Sequence, residues 1–171
     1  MSRLAPGSRE IGFDGVRVQF DSNKSYDELV GALFADVGEQ PIPIDDLVAA
    51  LGSWDSLQEE VESRVGPSGF MLFAFFDHGG WIKQAGIDRK VLRAIIGNPL
   101  IAITMLRHDV TAGLFAPVEL LLVEQDNVHS RLIYVKPSSL MVVEANPPLL
   151  AAAQQLDSKL YALAAKVTAQ P

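Results

Sequence analysis

Near the start of the chain, Val16, Val18 and Phe20 alternate with Arg17, Gln19 and Asp21. A period of two predicts a half-buried strand. The period then lengthens: Tyr26, Leu29, Val30, Leu33, Phe34 and Val37 recur at helical spacing, and Gly38 ends the run. Ser25 and Glu28 precede that helix as an S-x-x-E pair, a capping box whose side chains satisfy otherwise unpaired backbone N–H groups. Residues 44–65 are helical again, with Leu47, Val48, Leu51, Leu57, Val61 and Val65 on one side and Gly52 as a break or kink. Glu59, Glu60 and Glu62 fall on the opposite, solvated side.

Residues 69–76 (GFMLFAFF) are apolar without alternation. The run suits a strand buried on both faces at the centre of a covered sheet. Asp77-His78-Gly79-Gly80 ends it, and a short helix reaches about Ala85. Residues 91–96 form another strand. Gly97-Asn98-Pro99 then starts a helix to about Arg107, because Asn caps well and Pro at the first helical position lacks only an N–H that would be unpaired anyway. Two strands follow at 118–124 and 131–135, and the Asp126-Asn127 pair suits a tight hairpin between them. Leu149, Ala153, Leu156, Leu160, Leu163 and Val167 make a 4-3-4-3-4 stripe on a last helix from about Pro148 to Thr168. That stripe covers a sheet, or half-covers one and pairs with a second copy. The order is β-α-(α)-β-α-β-α-β-β-α. It predicts an α+β fold: a mixed or antiparallel sheet of about five strands with helices mainly on one face.

Composition narrows the function classes. The 171 residues carry 14 Lys+Arg against 21 Asp+Glu, a net charge of −7, which argues against nucleic acid as a partner. The first 67 residues hold five basic and thirteen acidic side chains, yet one short strand there could hardly bury a core of its own. Residues 1–171 are therefore one domain with an acidic helical excursion. Zero cysteines exclude disulfides, thiol catalysis and cysteine-held metals. No apolar run approaches the roughly 18–20 residues of a membrane span, and residues 1–8 lack the apolar core of a secretory leader. A cytoplasmic protein that engages no membrane is expected. Dinucleotide, P-loop and G-x-S-x-G motifs are all missing from the sequence.

From residue 69 onward three runs carry a resemblance: GFMLFAFFDHGGWIKQAGI, IIGNPLIAITMLRHD and LFAPVELLLVEQDNVHSRLIYVKP. With Asp77-His78, Gly97-Asn98-Pro99, Pro117-Val118 and a strand ending at Glu124, the chain resembles the bacterial and archaeal family called domain of unknown function 302. The likeness covers about residues 69–140, and residues 13–38 agree more loosely. It implies a compact α+β fold similar to the TATA-binding-protein-like class, a tendency to self-associate, and no established reaction. The chain departs from the family pattern in two ways: residues 41–66 look like an acidic helical insertion between the first helix and the next strand, and His108-Asp109 is charged.

Five residues are candidates for a site. Asp77 and His78 end the apolar strand, where side chains can meet a cleft from a rigid base; Asp77 could equally cap the next helix. Asn98 opens a helix whose free N–H groups suit an anion, although helix initiation alone explains it. His108, with Arg107 and Asp109, crowds a helix C-terminus. Glu119, a lone carboxylate in an apolar strand, must be paired, exposed at an edge or shifted in pKa. These residues point first to a small non-catalytic ligand-binding or sensing domain, homodimeric, with a pocket between sheet and helices for a small apolar or amphipathic ligand. Its polar contacts would come from His78, Asn98 and Glu119 at the strand ends. The alternatives are an interaction or scaffold module using the 45–65 region or the Leu149–Val167 stripe, and a metal-assisted enzyme using His78 and His108. The sequence identifies no cofactor.

Overall fold

The structure, a computed structural model, describes residues 5–170. The leader-free reading of residues 1–8 falls partly on residues 1–4, outside the described residues. The elements run β1 (Arg17–Ser22), α1 (Tyr26–Val37), α2 (Ile44–Leu51), α3 (Trp54–Arg64), β2 (Met71–Asp77), α4 (His78–Ile82), β3 (Val91–Gly97), α5 (Pro99–Leu106), β4 (Val118–Glu124), β5 (Ser130–Val135), α6 (Pro137–Met141) and α7 (Pro147–Thr168). The strands form one sheet in the order β1-β5-β4-β3-β2, and every neighbouring pair is antiparallel. The fold is α+β, with its helices mainly on one face.

Local chemistry sets most of these boundaries. Ser25 Oγ accepts from the Glu28 N–H at 3.3 Å, and the Glu28 carboxylate accepts from the Ser25 N–H at 2.7 Å. Those bonds hold the Glu28 carboxyl below its ordinary pKa. Gly52, in the left-handed region at φ 67°, separates α2 from α3, and Ser53 caps the new helix. Asn98 accepts from the Leu100 N–H at 2.8 Å and donates to the Gly69 carbonyl at 2.9 Å, so one side chain starts α5 and ties it to the turn before β2.

The core lies between one sheet face and the α1 and α7 helices. Leu92, Ala94 and Ile96 of β3, Val118, Leu120 and Leu122 of β4, and Leu132 and Tyr134 of β5 all point into it. The whole α7 stripe from Leu149 to Val167 is at most 3% exposed. Its apolar side chains stabilise the fold by roughly 1.5–3 kcal/mol for each large one. The stripe therefore covers the protein's own sheet.

The run at 69–76 is not the centre of the sheet. β4 is central and β2 is an edge strand. A bulge between Leu72 and Ala74 divides β2. Before it, Met71 and Leu72 are buried; after it, Phe75 and Phe76 are 42% and 49% exposed. Their rings are part-shielded by neighbours: Phe75 lies 5.6 Å from the Phe34 ring, and the Arg93 guanidinium sits 5.8 Å over Phe76. An unalternating apolar run shows that both faces meet carbon. It does not show how many strands flank it. None of the described helices is long and apolar enough to cross a membrane.

Candidate functional site

The strand tips do not converge. β2 and β3 are antiparallel, so Asp77 pairs with Leu92 at the start of β3, while Met71 pairs with Gly97 at its end. Asp77 and His78 thus leave the sheet at one end and Asn98 at the other, about 20 Å away by strand rise. Each has local work. Asp77 caps α4 by accepting from the Gly80 N–H at 3.1 Å. His78 Nδ1 accepts from Trp81 Nε1 at 3.2 Å. Both polar ends of Asn98 are occupied, as described above. His108 follows α5, and its carbonyl accepts from Asn146. Among the described residues, no group of three or more His, Asp or Glu side chains is placed to hold a metal ion.

The space between sheet and helices is filled. Beneath Phe70, Asn98, Met105 and Leu156 lies a cavity of about 20 Å³. It holds about one water at most. The expected pocket on that side gives way to core packing, because the α7 stripe and the sheet interdigitate.

A larger hollow lies on the other face. Strand alternation sends Leu121 of β4 and Ile133 and Val135 of β5 away from the core, and Leu121 pairs directly with Ile133. The segment before β4 adds Leu114, Phe115 and Pro117, and α6 adds Pro137 and Leu140. Together they form an open groove of about 510 Å³. That size lies within the range of small-molecule sites. Phe13 packs edge-on against Phe115 at 6.1 Å. The N-terminal approach is pinned beside the groove: the Val16 N–H donates to Ser139 Oγ at 2.9 Å, and Lys136 N–H to the Val16 carbonyl at 2.7 Å.

Among the described residues, three charged side chains line this groove: Arg17, Arg93 and Glu119. Glu119, one of the five candidates, is on the open face, and it is not alone. Arg93 grips it at both oxygens, with Nε 3.0 Å from Oε2 and Nη2 on Oε1. The lone carboxylate of the strand is thus paired, with the Arg93 guanidinium as its partner. Arg17, opposite Val135, makes no ion pair among the described residues. Beneath the sheet, burial, with Asp157 and Tyr161 adding to it, pushes the Tyr134 phenol up to about 12, so it stays neutral.

The sequence reading missed Arg17, Arg93 and the groove's apolar lining. One signal was present. Leu121 and Val123, like Ile133 and Val135, are apolar on the face opposite Leu120, Leu122 and Leu132. Two apolar faces on strands with one helical cover leave carbon for something else to meet.

The molecule is thus a two-layer α+β domain with an apolar groove on the uncovered side of its antiparallel sheet. The family model described as "Domain of unknown function DUF302" matches residues 48–167, from within α2 to the end of α7, and the chain belongs to that family. The crystal structure of uncharacterized conserved protein DUF302 from Bacillus stearothermophilus is similar, with a TM-score of 0.62 at 18% identity. The similarity covers 88% of this chain and 97% of that one, and it supports the shared fold. No curated protein matches the chain.

Proposed function

We propose that this domain is a non-catalytic small-molecule binding module whose site is the open-face groove, and that its ligand is apolar or amphipathic. One observation carries this reading: a concave volume of about 510 Å³, lined by carbon from β4, β5, α6 and the 114–117 segment, with few charged groups among it. Apolar concavities with a few placed polar groups are the usual form of such sites. The neutral dye N-phenyl-1-naphthylamine tests it. Its fluorescence should rise saturably at one dye per chain. Ile133→Glu should abolish that rise while keeping the thermal midpoint within a few degrees, since Ile133 faces away from the core. No saturable signal, or the same signal in the variant, sinks the reading.

A second reading concerns self-association. Outside the groove the same face keeps carbon in the open: Phe76 is 49% exposed, and Val91, Ile95 and Val123 are only part-buried. Two copies packed over this β2–β3 half would cover them and would meet the groove only at its Arg93 edge, leaving the Arg17 and Ile133 side accessible. Sedimentation velocity should then show a dimer that Phe76→Ser converts to monomer, with dye binding unchanged. A monomeric parent protein at high concentration refutes it.

A further inference from the structure

We infer that the groove's ligand is an amphiphile with a carboxylate head, held at Arg17, a conclusion that rests on the groove being the binding site. The argument is one of charge. Of the three charged side chains in the groove, Arg93 and Glu119 neutralise each other through two parallel contacts. What remains is one guanidinium, that of Arg17, which makes no ion pair among the described residues and stands beside Val135 in an otherwise apolar lining. The chain as a whole carries −7, so a net positive hollow is not a by-product of a basic surface.

Each alternative ligand meets this arrangement badly. An amine head would need Glu119, whose two oxygens are already engaged by Arg93. A neutral ligand would leave Arg17 solvated and gain nothing from it. A carboxylate can accept two of the guanidinium's parallel N–H donors in a planar fork. Its hydrocarbon part can then lie along Leu121 and Ile133. Affinity should therefore have two separable parts, one scaling with chain length and one depending on Arg17.

Displacement of N-phenyl-1-naphthylamine by decanoate, 1-decanol and decylamine at neutral pH and low salt separates them. Decanoate should bind about tenfold more tightly than decanol, and decylamine more weakly than either. That tenfold corresponds to about 1.4 kcal/mol. Arg17→Ala should bring decanoate to the level of decanol and change decanol by less than twofold. Arg17→Lys should restore part of the gap, and added salt should narrow it. Shortening the acid by one CH₂ should weaken binding about three- to fourfold, in line with apolar burial. Equal affinity for decanoate and decanol, or an Arg17→Ala loss shared by both, overturns the carboxylate assignment while the groove stands. A dye that never binds removes the groove itself, and this inference with it.

Discussion

At Gly66 the backbone presses against the end of α1. A Cβ built on Gly66 would lie 1.6 Å from the Asp36 carbonyl oxygen, a backbone atom that cannot swing aside. The same turn is held by Asp36, whose carboxylate accepts from Ser68 Oγ at 2.8 Å and from Lys166 Nζ at 2.6 Å. These contacts dock α1, the entry to β2 and the end of α7 onto one another. Gly69, three residues on, has a positive φ of 87° but open space around it. Gly66→Ala should therefore cost about 2–4 kcal/mol through a forced backbone shift. Gly69→Ala should cost only about 1–2 kcal/mol, the penalty of a left-handed conformation. Urea denaturation of the two variants checks the order; a smaller loss at Gly66 would contradict the close approach. The glycines themselves were legible as a turn. The steric reason for Gly66 was not, because its neighbour is thirty residues away in sequence.

At the scale of elements, local rules carried far. The Ser25–Glu28 box, the Asn98-Pro99 start and the 4-3-4-3-4 stripe each correspond to a helix formed as its own side chains dictate. Leu160, in the middle of the α7 stripe, is fully buried, whereas Leu150 on the same helix is 38% exposed. Leu160→Ala should destabilise by about 2–5 kcal/mol through lost contact and the cavity left behind. Leu150→Ala should stay within about 1 kcal/mol. Equal losses in chemical denaturation would mean the stripe is not packed as described. The short helix after Asp77 was read, but α6 escaped. α6 spans only Pro137–Met141 and has no side-chain cap bond, so no periodicity or capping signal marks it. Yet its Leu140 helps to shape the groove.

For the whole molecule, the α+β class and the count of strands followed from element order, because hairpin-linked strands late in the chain favour antiparallel pairing. Strand order did not follow. The greasy run of β2 was equally compatible with the middle of a sheet and with an edge shielded by Phe34, Arg93 and a bulge. The site moved with that difference. Polar groups at β2's tip could meet Asn98 only if both left the sheet at the same end, and antiparallel pairing separates them.

By itself, then, the sequence determined where the longer helices and the five strands lie, which stripe of α7 is apolar, and that β4 and β5 carry carbon on both faces. These are local properties, set by neighbours within a few residues along the chain. Only the tertiary structure decided which of the two faces α1 and α7 would cover, which strand would be left at the edge, and that Arg93 would neutralise Glu119 while Arg17 made no ion pair among the described residues. A period of two distinguishes the faces of a strand but treats them alike when both are apolar. Contacts between distant segments break that symmetry, and they left the groove on the side that the helices did not reach.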